Sequence, residues 1–120
     1  MAQKILVVDD STSMRQMISF TLKGAGYEVM EANDGQQGLN TAKTQSFDLV
    51  FTDVNMPGMD GLAFTKELRK LANYKFTPIL VLTTEASPAK KAEGKAAGAT
   101  GWLVKPFNPE QLLNTAKRVL

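Results

Sequence analysis

The chain has 120 residues, 43% of them hydrophobic, 14 basic residues against 12 acidic ones, and neither cysteine nor histidine. That size suits one compact domain spanning residues 1–120, and the residue supply excludes disulfides, thiolate zinc sites, Ser-His-Asp catalysis and a histidine phosphocarrier. A net charge of +2 is too mild to argue for nucleic acid, and no apolar stretch approaches membrane-spanning length. Only Met-Ala-Gln-Lys and four apolar residues precede the first aspartates, too little for a signal peptide, so the expected compartment is the cytoplasm.

Short apolar runs alternate with amphipathic stretches. Ile5 to Val8 is the first run and leads into Asp9 and Asp10. From Ser13 to Ala25, Met14, Met17, Ile18 and Leu22 fall on one face, predicting a first helix closed by Gly24 and Gly26. Tyr27 to Ala32 alternates apolar and polar residues, as an edge strand does. Asn33-Asp34-Gly35 turns into a second helix, and Leu49 to Thr52 is a third strand ending at Asp53. A third helix follows Asp60-Gly61, with Leu62, Leu68 and Leu71 at helical spacing, and Asn73 to Pro78 breaks it. Ile79 to Leu82 ends at Thr83. Ser87-Pro88 and Asn108-Pro109 each set proline behind a capping residue, which marks two more helix starts. Trp102 to Val104, ending at Lys105, is the last strand.

Five β-α units without linker or repeat predict an α/β fold, a doubly wound parallel sheet covered by helices on both faces. The pattern alone leaves the strand order open. In such sheets the carboxyl ends of the strands form the ligand crevice, and there the chain would gather Asp9, Asp10, Asp53, Thr83 and Lys105. Three carboxylates at close range repel unless a cation sits among them, which implies a metal, while Lys105 implies an anion. A glycine-rich first turn and a Gly-Lys-Ser/Thr phosphate loop are both missing. Carboxylates, water and a phosphoryl oxygen around a small divalent ion are how Mg²⁺ usually binds. Asp53 is then the natural nucleophile for a phosphoryl group, with Lys105 neutralising charge and the Thr83 hydroxyl donating to a phosphoryl oxygen.

Each of these residues also has an ordinary reading. Asp9-Asp10 could be a strand-end turn or cap, Thr83 a β-branched strand residue, Lys105 a surface lysine in a turn. Trp102 reads equally as partial core or as a moving part. It is the agreement of four strand ends that favours the site.

At these positions the chain closely resembles the response-regulator receiver family of two-component signalling, and within it the single-domain chemotaxis regulators. The resemblance covers essentially the whole chain and rests on Val7-Val8-Asp9-Asp10, Thr52 to Gly61, Thr83-Thr84-Glu85-Ala86 and Gly98 to Phe107. It implies a flavodoxin-like (βα)5 fold with strand order 2-1-3-4-5, phosphorylation of Asp53, direct Mg²⁺ binding by Asp10, and Asp9 acting largely through water. It further implies a metal contact from the Asn55 carbonyl, a cis peptide before Pro106, and a switch pairing Thr83 with the aromatic residue Trp102. Tyrosine or phenylalanine is more usual at that last place, and an indole N–H needs a partner once buried. Asn55 and Glu85, two residues beyond Asp53 and Thr83, match chemotaxis-type members and imply fairly fast self-dephosphorylation.

Pro88 to Ala97 has alanines where larger anchors are expected, plus Gly94 in its middle, so it should dock weakly. Lys90, Lys91 and Lys95 beside Trp102 would make a basic surface for an acidic partner segment, though charge runs are more often simply solvated. The expected function is a monomeric stand-alone switch with no output domain after Leu120, no membrane or nucleic-acid partner, and no turnover of a separate substrate. A CheA-like histidine kinase would donate to Asp53, and the flagellar motor switch would be the target. A phosphorelay shuttle passing the group to a histidine phosphotransfer protein is the alternative. A phosphatase with an aspartyl-phosphate intermediate is disfavoured, because Asn55 stands where its second acid would be.

Overall fold

The computed structural model describes residues 2–85 and 87–120; Ala86, the last residue of the Thr83 motif, lies outside them. Five strands, β1 (Lys4–Val8), β2 (Glu28–Ala32), β3 (Leu49–Asp53), β4 (Ile79–Thr83) and β5 (Gly101–Val104), alternate with five helices. The helices are α1 (Thr12–Gly24), α2 (Gly35–Thr44), α3 (Gly61–Arg69), α4 (Pro88–Ala97) and α5 (Pro109–Val119). All four strand pairings are parallel, in the order β2-β1-β3-β4-β5. This is the doubly wound flavodoxin-like fold, with β2 on an edge as its alternating pattern predicts.

Pleating sends alternate residues of each central strand to opposite cores. Leu6, Val8, Val50 and Ile79 pack with Leu39, Phe64 and Leu68 of α2 and α3, while Ile5, Val7, Leu49, Phe51, Leu80 and Leu82 pack with Ile18, Leu22, Leu112 and Ala116 of α1 and α5. Burial on both faces is why these strands read as unbroken apolar runs.

Helix starts follow their caps. Ser11, Asp34, Asp60, Ser87 and Asn108 each accept a backbone N–H from the first turn, and Asn108 with Gln111 completes a capping box. Strand and helix ends fall within a residue or so of expectation except at the third helix. The third helix stops at Arg69, short of Leu71, and a 3₁₀ turn over Ala72–Tyr74 occupies part of the predicted break.

The cause is Arg69, whose guanidinium donates to the carbonyls of Gly98 (3.0 Å), Tyr74 (2.7 Å) and Thr77 (2.6 Å). One side chain thus ends α3, shapes the following turn and holds the C-cap of α4, where Gly98 sits in the left-handed region at φ 105°. Tyr74, fully buried, points its hydroxyl at the carbonyls of Ala42 (2.8 Å) and Gln45 (2.6 Å) and ties that turn to the end of α2.

Candidate functional site

The carboxyl ends of β1 and β3 lie side by side, because Val8 pairs with Thr52. The next residue on each is an aspartate. Asp9 is fully buried: its N–H donates to the Ala32 carbonyl (3.1 Å) and its Oδ1 accepts from the Ser11 N–H (2.9 Å). Its Oδ2, also buried, has no hydrogen-bond partner among the described residues. Asp53 closes β3, nearly as buried. Lys105, just past β5, sends its Nζ to Asp53 Oδ1 (3.1 Å) and lies 3.7 Å from Asp9 Oδ2. The Lys105–Pro106 peptide is cis.

Asp10 is exposed, yet one carboxylate oxygen from each of Asp9, Asp10 and Asp53 falls within 4.8 Å of the others. Burial raises the Asp9 carboxyl above the usual carboxylate range; the Ser11 N–H opposes this, Asp53 adds to it, and Lys105 and Asp10 act in opposite senses. Two buried acids sharing one ammonium, a third acid alongside them and a buried carboxylate oxygen left over make a donor set short of positive charge. A small divalent cation held through oxygen suits it, and Asp9, Asp10 and Asp53 are the residues that could hold one. Asn55, exposed and two residues beyond Asp53, lies at a neighbouring recess.

That recess, about 70 Å³, is bordered by Val54, Leu62, Val81, Thr83, Gly94 and Trp102 among others. Thr83 does not face Asp53 through a hydrogen bond among the described residues. Its hydroxyl donates to the Glu85 carbonyl and accepts the Glu85 N–H, both at 3.0 Å, closing a tight turn. Trp102 is half-buried, with the Lys91 ammonium 5.0 Å from its ring centroid, a cation–π distance. Lys90 also lines the recess and pairs with Glu93 at 3.5 Å. Lys95 is exposed on the same helix but away from the recess lining, so the structure brings two of the three lysines to Trp102.

Two residues at the site escaped the sequence reading. Gly61 opens α3 so close to β3 that an added Cβ would fall on the Asp53 carbonyl oxygen and lie 2.9 Å from the Val54 Cα. Its N–H donates to the Val54 carbonyl (2.9 Å). The Asp60-Gly61 pair signalled a helix start, with nothing to show how near the strand lay. Arg15 donates from Nη1 to the Asp9 carbonyl (2.7 Å) and from Nε to Glu31 Oε1 (3.0 Å). A polar residue on the first helix carries no sequence signal for that reach.

The chain matches the family model for the response regulator receiver domain over residues 5–117, and it belongs to that family. It is 61% identical to the chemotaxis protein CheY4 of Vibrio cholerae, whose crystal structure it follows with a TM-score of 0.98 over 100% of both chains. Chemotaxis protein CheY-3 of Vibrio cholerae is 40% identical over 110 residues, covering 91% of this chain and 85% of that one. The receiver domain of the sensor histidine kinase PA1611 from Pseudomonas aeruginosa, solved with magnesium in its active-site cleft, is 31% identical with a TM-score of 0.91, over 99% of this chain and 98% of that one. The chain spans about half the length of several transcriptional regulators it also matches. Receiver domains are two-component signalling proteins rather than enzymes of the ordinary kind. They bind Mg²⁺ in an acidic pocket, accept phosphoryl groups from histidine kinases and act on targets.

Proposed function

We propose that residues 1–120 work as a single, monomeric receiver domain in the cytoplasm, taking a phosphoryl group onto Asp53 from a CheA-like histidine kinase. The altered surface then controls the flagellar motor switch. The observation carrying this reading is the Asp9, Asp10, Asp53 and Lys105 cluster, with Asp9 Oδ2 buried and unpartnered and the Lys105 Nζ 3.1 Å from Asp53.

Asp9, Asp10 and Asp53, with the Asn55 carbonyl, would hold Mg²⁺, which when bound neutralises phosphoryl charge. A carboxylate oxygen of Asp53 attacks the phosphorus of the donor's phosphohistidine. The new O–P bond forms as the N–P bond breaks, and the imidazole nitrogen leaves with the electron pair and picks up a proton. Lys105 gives up its bond to Asp53 Oδ1 in favour of the new phosphoryl oxygens, a charge-assisted contact that strengthens as charge arrives. Hydrolysis of the acyl phosphate by water returns the Asp53 carboxylate and inorganic phosphate, so no separate substrate is turned over.

Thr83 must turn its hydroxyl proton away from the Glu85 carbonyl before it can donate to the phosphoryl group. That move opens room beside Trp102, whose ring borders the same recess. The partner surface is then Trp102 with Lys90, Lys91 and Lys95, basic and suited to an acidic segment. The identity to CheY4 and CheY-3 supports a chemotaxis target over other receiver outputs.

The test is to titrate an N-terminal peptide of a flagellar switch protein into the protein, following the fluorescence of Trp102, the only tryptophan. It is run with and without Mg²⁺ and beryllium fluoride, a phosphoryl mimic. Tighter binding with the mimic supports the reading. A mimic-dependent fluorescence change with unaltered peptide binding keeps the receiver and removes the motor.

A further inference from the structure

The β1–α1 connection is only Asp9, Asp10 and Ser11, and nearly every hydrogen-bonding group of Asp9 within it is spoken for. Its N–H extends the ladder to β2 through the Ala32 carbonyl, and its Oδ1 is held by the Ser11 N–H. Its carbonyl takes Arg15 Nη1 at 2.7 Å, the length of a charge-assisted bond. Arg15 is itself held. Its Nε donates at 3.0 Å to Glu31 of β2, and its side chain is 15% exposed against 32% for Glu31. Glu31 pairs in register with Val7, two residues before Asp9, so the edge strand, the helix and the acid-bearing turn are joined by one guanidinium.

A peptide unit is planar, so fixing the Asp9 carbonyl fixes the plane from which both Asp9 and Asp10 depart. Were that carbonyl free, the plane could rotate, and the spacing of the Asp9 and Asp10 carboxylates would rotate with it. We propose that Arg15 is a positioning residue for the divalent cation, locking the Asp9–Asp10 peptide so that both carboxylates face the ion, with Glu31 holding Arg15 in place. The inference rests on the metal reading above and adds to it a residue that touches no ligand.

Charge alone argues the other way. A guanidinium on the acid-bearing turn repels a cation, so if Arg15 acted only through its charge, removing it would tighten binding of every divalent ion alike. Position is separable from charge because Mg²⁺ demands near-ideal octahedral geometry whereas Ca²⁺ accepts irregular shells. Loosening the acids therefore hurts Mg²⁺ more than Ca²⁺.

The experiment measures MgCl2 and CaCl2 affinities by calorimetry for the intact protein and for R15Q, R15K and E31Q, with thermal unfolding of each in chelator. The expected result is an Mg²⁺ affinity lower by about tenfold in R15Q, in the range typical of groups that orient metal ligands. The ratio of Mg²⁺ to Ca²⁺ affinity should fall with it. R15K, which keeps the charge and loses the fork, should show the same fall in ratio. E31Q, which leaves the bond to the Asp9 carbonyl in place, should show a smaller one. If R15Q does not fold, R15K and E31Q carry the comparison. Unchanged Mg²⁺ affinity, an equal shift for both ions, or tighter binding in R15Q would each overturn the proposal while leaving the metal site intact. Absence of Mg²⁺ binding in the unaltered protein would sink the metal reading itself.

Discussion

Replacing Gly94 with alanine tests the packing of α4 and the use of the recess together. Gly94 is buried in mid-helix, and a Cβ there would meet only the Ala99 Cβ and the Leu62 Cδ2, both at 4.0 Å, ordinary van der Waals contact. Alanine gains about 1 kcal/mol of helix propensity over glycine, and burying one methyl adds up to about 0.8 kcal/mol more. The sum is a stabilisation of about 1 to 2 kcal/mol. In urea, with m of about 2 kcal/mol per molar, the midpoint should rise by about 0.5 M or more at unchanged m. Gly94 also lines the recess beside Trp102 and Thr83, so the new methyl takes space the indole would need to turn inward. The same variant should therefore show a smaller change in Trp102 fluorescence on adding Mg²⁺ and beryllium fluoride. A lower urea midpoint would refute the packing argument, and a full-sized fluorescence response in a stabilised variant would show that the indole does not use this space.

The same glycine-to-alanine change at Gly61 should have the opposite sign, costing about 3 kcal/mol or more because the added atom meets backbone rather than a movable side chain. Urea unfolding reads it directly. Tyr74→Phe should cost about 1 to 3 kcal/mol, since two carbonyls share the proton it loses. Burial holds the Tyr74 hydroxyl above the ordinary tyrosine value, so the folded state resists ionisation that the unfolded chain permits. Stability from this residue should be complete at neutral pH and decline as pH climbs past about 10, and the phenylalanine variant should lack that decline. Lys105→Met removes the ammonium shared by Asp53 and Asp9. It should slow phosphorylation by a small-molecule phosphodonor by about a hundredfold while tightening Mg²⁺ binding, and an unchanged rate would take Lys105 out of the site.

The strands were legible because each central one is covered on both faces, leaving unbroken runs such as Ile5 to Val8 and Ile79 to Leu82. The caps were legible because Ser87-Pro88 and Asn108-Pro109 are local chemistry. Strand order was not, since it depends on which edge each crossover takes, and it came from the family resemblance. The convergence of Asp9, Asp10, Asp53 and Lys105 could be read from strand ends alone. What could not be read was anything set by one long side chain reaching across elements. Arg69 ends α3 two residues before the apolar spacing does, and Arg15 grips a carbonyl six residues back. The end of its strand points Thr83 to the crevice, but its hydroxyl closes a turn with Glu85, a local bond that competes with donation to a phosphoryl oxygen.

The place of Asp53 in the sheet governs traffic to it. Its strand is the middle one of five, flanked by β1 and β4, with helices on both faces, and the residue itself is 7% exposed. Approach along the strand axis passes over the rim of loops that carries Asp10, Asn55 and Lys105. On the reading proposed here, a kinase delivering the phosphoryl group and any protein that hastens its removal both come over that rim. They therefore exclude each other sterically, and the lifetime of the signal is set partly by which of them occupies the threshold.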